Sequence, residues 1–249
     1  MKLNIQAVCD VGLLRKINQD MVLVGNEYFR DMESDYFVEI EKNARPFFVA
    51  VSDGMGGHSA GEVASKLVMH KSLEYVLDLA SGLSGEQLKA NISEFYTKLH
   101  EELLQEGVKA PENKGMGATL VGLLFYDGKI FLINIGDSRC YRLRGGILRQ
   151  LSKDHSFAEY SGIQRKQSHI LLNSIGGGDS VFVDFREVTE FLSTDDYVLL
   201  CSDGLTDMIP DEVMETFLHK SPGINRLLEE AKRAGGKDNI SIVMIEIKS

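Results

Sequence analysis

Apolar residues recur at two different periods along this 249-residue chain. Residues 84 to 107 place Leu88, Ile92, Phe95, Leu99 and Leu103 at steps of four, three, four and four, which puts them on one face of an amphipathic helix. Residues 59 to 80 predict a second helix through Val63, Ala64, Leu67, Val68, Leu73, Val76 and Leu77, and the short SGLSG between the two predicts an antiparallel pair. A further helix over 224 to 234 carries Ile224, Leu227, Leu228, Ala231 and Ala234 as core packing.

The rest of the pattern predicts strands over 47–51, 118–126, 129–135, 140–144, 147–151, 181–188, 197–201 and 240–247. Asp127-Gly128 and Gly145-Gly146 are two-residue loops that accept positive φ, so they join antiparallel hairpins. Residues 27 to 45 mix charge with aromatics and read as an extended hairpin with a solvated face. Several strands are apolar on both faces, which calls for cover on both sides. Two stacked antiparallel sheets with helices packed outside each, a four-layer α+β sandwich, satisfy this best. A doubly wound parallel sheet would need a helix after nearly every strand, and residues 118 to 151 leave no room for one. No repeat or linker interrupts the chain, so residues 1–249 are expected to form one domain.

Composition narrows the partners. The net charge is −10, from 37 acidic and 27 basic residues, which disfavours nucleic acid and anionic membrane as partners. No apolar run approaches the ~20 residues of a bilayer span, and the ends show no targeting segment, so a soluble, cytoplasmic monomer is expected. Cys9, Cys140 and Cys201 lack C-x-x-C spacing and read as buried small hydrophobes in a reducing cytosol. Part of the acidity could instead be neutralised inside the fold by divalent cations.

The acidic residues suggest where. Asp53 and Asp203 each end an apolar strand and precede a glycine, Gly136-Asp137 closes another strand, and Asp238 stands just before one. An Asp-Gly pair is ordinarily a turn, and Asp127 is read that way. The other four abut long apolar strands, where an unpaired carboxylate is costly. Arginine or metal could serve, but Arg15 and Arg139 are too few for this many acids, so divalent metal is the more economical partner. No His or Cys stands at ligand spacing, so the chemistry favours Mg²⁺ or Mn²⁺ over zinc. The flanking glycines let a carbonyl such as that of Gly54 approach the same ion as the Asp53 carboxylate.

Six stretches, DVGLLRKINQD (10–20), VSDGMGGHSAGEVAS (51–65), MGATL (116–120), IGDSR (135–139), CSDGLTD (201–207) and KDNIS (237–241), resemble in order the motifs of the metal-dependent protein phosphatases, the PPM or type 2C family. The resemblance covers nearly the whole chain, and the DGMGGH form is similar to the bacterial branch. It implies a β-sandwich flanked by helix pairs, in agreement with the pattern above.

Carried over by position, the resemblance makes Asp53 the carboxylate bridging two Mn²⁺ or Mg²⁺ ions, with the Gly54 carbonyl, Asp203 and Asp238 on the first. Asp20 would hold the second largely through water, and Asp137 with Asp207 would join Asp203 at a third, weaker site. Arg15 would clamp the substrate phosphate. Two such cations would let a shared water attack phosphorus directly, with no protein nucleophile. The implied substrates are phosphoserine and phosphothreonine proteins, with a cognate kinase as a further partner. A catalytically silent phosphoprotein binder is the alternative, and a phosphatase of small phosphometabolites ranks below both.

Two features depart from the pattern. Met55 stands where many eukaryotic members carry a histidine, and His58 is read as a cap or surface group rather than a catalytic one. The stretch between LSKDHS and LLNSIGG is shorter than the flap of many bacterial relatives, and Gly176–Gly178 within the latter reads as an ordinary turn.

Overall fold

The computed structural model describes residues 1–41, 44–57, 60–161, 170–220 and 222–248. Its strands are β1 (Lys2–Asp10), β2 (Met21–Val24), β3 (Glu27–Phe29), β4 (Met32–Glu39), β5 (Phe47–Ser52), β6 (Gly54–Met55), β7 (Gly117–Ala118), β8 (Leu120–Tyr126), β9 (Lys129–Ile135), β10 (Arg139–Arg144), β11 (Ile147–Gln150), β12 (Asp184–Glu187), β13 (Tyr197–Cys201) and β14 (Ile240–Lys248). Its helices are α1 (Ala60–Leu77), α2 (Gly85–Lys109), α3 (Phe157–Ser161), α4 (Asp203–Thr206), α5 (Asp211–Lys220) and α6 (Ile224–Arg233).

Alternation decides the layers. In β8, Val121, Leu123 and Phe125 face the space between two sheets, while Leu120 and Leu124 face α1 and α2. In β14, Val243, Ile245 and Ile247 face inward, and Ile240, Ile242 and Met244 face α4, α5 and α6. Each strand therefore needs cover on both sides, as the apolar residues on both of its faces demand. One sheet runs β11-β10-β13-β14-β1-β4 and the other β12-β9-β8-β5-β2-β3, with a small β6-β7 ribbon beside them. Every pairing among the described strands is antiparallel, and the sequence-predicted α+β sandwich of four layers is what forms.

The predicted hairpins form with the expected geometry. Asp127 and Gly128 have φ of 48° and 76°, and Gly145 and Gly146 have 57° and 82°, so both loops take positive φ at both central residues. The predicted helix pair is also present. Ser84 caps α2 reciprocally with Gln87, the rings of Tyr75 and Phe95 stack at 4.2 Å, and the Ser72 and Tyr96 hydroxyls meet at 3.1 Å. Among the described residues no helix is long and apolar enough to cross a membrane.

Three readings need correction. Residues 27 to 45 do not make a hairpin: β3 pairs with β2 in one sheet and β4 with β1 in the other, so the chain crosses between sheets near Asp31, whose φ is 53°. The strand predicted over 181–188 shrinks to Asp184–Glu187, because the preceding Phe182 is held by the Asn173 side chain instead of by a neighbouring strand. Finally, β1, β2 and α5 form without having been predicted.

Register brings the acidic strand ends to one edge of the sandwich. In the first sheet Asp10 lies opposite Ile240, and Cys201 opposite both Ile242 and Arg139. In the second, Ser52 lies opposite Met21, and Leu120 opposite Ile135. The residues that follow or precede these ends are Asp53, Asp137, Asp203 and Asp238.

Candidate active site

Asp53 directly follows β5 and is held there by Thr119, the residue between β7 and β8. Its N–H donates to Thr119 Oγ1 at 3.0 Å, its carbonyl accepts from Thr119 N–H at 2.9 Å, and Thr119 Oγ1 in turn meets Ser138 Oγ at 2.7 Å. The MGATL and IGDSR motifs thus supply a brace for Asp53 and bring Asp137 beside it. Gly54, next along, donates its N–H to the Gln19 carbonyl at 3.1 Å. A Cβ on Gly54 would come within 2.0 Å of the Gly61 carbonyl oxygen, and one on Gly61 within 2.5 Å of the Gly54 carbonyl oxygen. This contact presses the start of α1 against the Asp-Gly turn, and only glycine permits it.

Asp20 is fully buried. Its Oδ2 accepts from Ser202 Oγ at 2.7 Å, and its Oδ1 has no hydrogen-bond partner. Burial raises its carboxyl from 3.8 to about 6; hydrogen bonds from Ser202 and Ser241 oppose that rise, and the charge of Asp238 adds to it. Arg30 Nε holds the Asp20 carbonyl at 2.8 Å, while its Nη2 reaches the Glu62 carbonyl and Ser65 Oγ on α1.

Asp203 opens α4, and a Cβ on the following Gly204 would lie within 1.9 Å of the Asn239 carbonyl oxygen. The Asp203 Oδ1 is a second buried oxygen without a partner. Burial, then the charges of Asp137 and Asp207, pushes its carboxyl far above the ordinary range. Burial does the same to Asp53, helped by Asp20, Asp203 and Asp137. The Asp53 carboxyl is within hydrogen-bonding reach of both Asp20 and Asp203.

Asp238 receives Arg15 Nη2 at 2.7 Å, in a pair that is 53% and 38% exposed on its two sides. The loop carrying Arg15 is fastened by Asn239: its Oδ1 accepts from Gln19 N–H at 2.8 Å, and its Nδ2 donates to the Val11 and Ile17 carbonyls at 3.0 and 3.1 Å. The charges of Asp238, Asp53 and Asp203 all favour the guanidinium of Arg15. Arg139 does not share this role, because it forks onto Asp154 at 2.8 and 2.9 Å on the other side of its strand end.

The structure therefore brings Arg15, Asp20, Asp53, Gly54, Asp137, Asp203 and Asp238 together, with Asp207 adding its charge to Asp203 from the end of α4. Among the described residues, no three His, Cys, Asp or Glu side chains already enclose a point fit for a metal ion. Even so, the donor set suits a hard divalent cation: every donor is oxygen, two buried oxygens lack partners, and one arginine faces several acids. Thr119, Ser138, Ser202 and Asn239 escaped notice as site residues, although each stands inside a quoted motif; their hydrogen bonds, invisible in a linear reading, are what place the acids. His58 and residues 162–169 of the shortened flap lie outside the described residues. Gly176–Gly178 make a turn, as expected, in which Gly176 N–H donates to His100 Nδ1.

Known proteins show the same arrangement of sequence and fold. A family model described as Protein phosphatase 2C matches residues 31–236. The serine/threonine phosphatase stp of Listeria monocytogenes is 31% identical over 212 residues, covering 80% of this chain and 83% of that protein. The protein phosphatase PhpP of Streptococcus pneumoniae is 30% identical over 264 residues and covers 98% of both. Among solved structures, the catalytic domain of the serine threonine protein phosphatase PstP in complex with two manganese ions aligns over the full length of both chains, with a TM-score of 0.75 and 31% identity. Curated PstP is the Mycobacterium tuberculosis protein, and this chain matches 44% of its length.

Proposed function

Because the chain belongs to the protein phosphatase 2C family, we propose that it is a metal-dependent phosphatase that removes phosphate from serine and threonine residues of proteins. The observation that carries the proposal is the meeting of buried Asp20 with half-buried Asp53 and Asp203, three acids from distant segments, with two buried oxygens among them lacking any partner. Asp53 would bridge two Mn²⁺ or Mg²⁺ ions, the Gly54 carbonyl, Asp203 and Asp238 would complete the first, and Asp20 the second. Asp137 and Asp207 would join Asp203 at a third, weaker site. The two manganese ions of the PstP structure support that stoichiometry.

When bound, such cations acidify a shared water and withdraw charge from the phosphoryl oxygens. The chain's own residues supply the rest. Arg15 is half exposed and paired only at the surface with Asp238, so its planar fork is available to a phosphate monoester. Asn239 keeps that arginine at the rim by fastening the loop at both ends. The Thr119 and Ser138 hydroxyls fix the Asp53 backbone, so its carboxylate keeps its direction through the reaction. Cys9, Cys140 and Cys201 are buried, and burial pushes the Cys9 thiol up to about 12, so no thiolate competes as nucleophile. On this reading water would attack phosphorus directly as the P–O bond to the serine or threonine breaks, with one of the water's protons ending on the departing oxygen. Cytoplasmic action beside a cognate kinase belongs to the same proposal.

The silent-binder alternative would predict a lost carboxylate, and none is lost. Hydrolysis of p-nitrophenyl phosphate with Mn²⁺, with and without EDTA, tests the proposal on the native protein and on Asp203→Asn. Activity that needs Mn²⁺ and disappears in the variant is expected. Native activity that survives chelation, or full turnover in the variant, overturns it.

A further inference from the structure

His155 stands directly behind Asp137, and the reaction above assigns it no part. Its side chain is wholly buried. Its backbone N–H donates to the Gly136 carbonyl at 2.9 Å, while its ring Nδ1 accepts from the Gly136 N–H at 3.1 Å. One histidine thus holds both backbone groups of the residue preceding Asp137. Gly136 has a φ of 113°, and a Cβ there would come within 2.6 Å of Thr119 Cγ2. The turn is one that only glycine makes, and it needs holding from outside.

The neighbours decide where the ring carries its proton. Asn173 Oδ1 accepts from Phe182 N–H at 3.1 Å and Asn173 Nδ2 donates to the Phe182 carbonyl at 2.8 Å, which fixes the orientation of the amide. The same Nδ2 lies 2.7 Å from His155 Nδ1. Two N–H donors therefore converge on Nδ1, so that nitrogen is bare. The proton sits on Nε2, which lies 3.0 Å from Asp184 Oδ2. On the other side of the turn, Ser138 Oγ joins Thr119 Oγ1 and through it the Asp53 N–H. Asp137 is carried between these two braces.

We propose that His155 is a positioning residue: its unprotonated Nδ1 holds the Gly136–Asp137 turn so that the Asp137 carboxylate faces Asp203, and it thereby sets how well the third, weaker cation site is held. This rests on the metal-dependent reading above. A hydrocarbon of similar size would fill the same space but would leave the Gly136 N–H and the second N–H of Asn173 Nδ2, the one not given to Phe182, without an acceptor. Acceptor chemistry, and not volume, is therefore the property that matters.

The test compares the native protein with His155→Leu, His155→Asn, Asp137→Asn and the His155→Leu/Asp137→Asn double variant. Mn²⁺ binding is followed by the paramagnetic resonance of the free ion, alongside the Mn²⁺ dependence of p-nitrophenyl phosphate hydrolysis. His155→Leu is expected to weaken the loosest Mn²⁺ site on the order of 10- to 100-fold, the range usual for partners behind a metal ligand. His155→Asn places an amide oxygen near the Nδ1 position and is expected to retain most of the binding. The double variant should be no worse than Asp137→Asn alone. Should His155→Leu not fold, Asn173→Asp has the same size but faces Nδ1 with an acceptor, and it should weaken the same site. Native Mn²⁺ binding that is unchanged in His155→Leu or Asn173→Asp, better retained by leucine than by asparagine, or additive in the double variant overturns the inference alone. A native protein that binds no Mn²⁺ overturns the metal reading and this inference with it.

Discussion

Replacing Asp20 with asparagine is expected to stabilise the metal-free protein at neutral pH. The Asp20 carboxyl is raised from 3.8 to about 6, first by burial. A raised carboxyl means that the fold favours the protonated acid. Below the unfolded value nothing is lost; as pH rises from 3.8 to about 6 the unfolded acid is ionised while the native one keeps its proton, so stability falls, and beyond about 6 the loss is complete. At about 1.4 kcal/mol per pH unit, the interval from 3.8 to about 6 is worth about 3 kcal/mol. Asparagine has the same shape, and its oxygen can still accept from Ser202 Oγ, which lies 2.7 Å from Asp20 Oδ2. Most of the cost therefore disappears. In a chain of this size 1 kcal/mol moves Tm by roughly 2–4 °C, so the variant should melt roughly 6–12 °C above the native protein in EDTA at pH 7.5. At pH 4 the two should nearly coincide. Mn²⁺ should narrow or reverse the difference, because the native carboxylate gains a cation and the amide does not. Thermal melts followed by circular dichroism, at both pH values and with or without Mn²⁺, decide the matter. A variant that melts at or below the native protein in EDTA at pH 7.5 refutes the reasoning.

Other consequences follow from the same contacts. Gly54→Ala would force a methyl to within 2.0 Å of the Gly61 carbonyl oxygen, so urea denaturation should show a loss of roughly 3 kcal/mol. Arg15→Ala should change stability by less than about 1 kcal/mol, since its pair with Asp238 is largely exposed; its KM for a phosphomonoester should rise roughly tenfold or more with the loss of a charge-assisted contact. Asn239→Leu removes the bonds to Gln19, Val11 and Ile17, and at roughly 1 kcal/mol each the expected loss is about 3 kcal/mol, read by urea denaturation, with a fall in kcat/KM as the Arg15 loop loosens.

The layers were legible because period and burial agree: β8 and the Ile242–Ile245 stretch of β14 carry no charged or strongly polar side chain, and each turns out to face a sheet on one side and helices on the other. The hairpin turns were legible because positive φ at two successive residues restricts which side chains stand there. What alternation does not encode is the partner of a strand. Residues 27 to 45 alternate as a hairpin would, yet the two strands join different sheets, since pairing is decided by neighbours far away in sequence. At the site, the acids were legible by their own cost, as carboxylates abutting apolar strands. Thr119, Ser138, Ser202, Asn239 and His155 were not, because a serine, threonine, asparagine or histidine is cheap almost anywhere and acquires its role only from the backbone groups it meets in the fold.

The central claim is that these acids gather to hold cations. Diffraction from crystals grown with Mn²⁺, recorded at the manganese absorption edge, tests it most directly. Two anomalous peaks a few ångströms apart, both within bonding distance of Asp53 and one also touching Asp203 and Asp238, are predicted. Ordered carboxyls at these positions with no anomalous density among them, in crystals saturated with the ion, would contradict it.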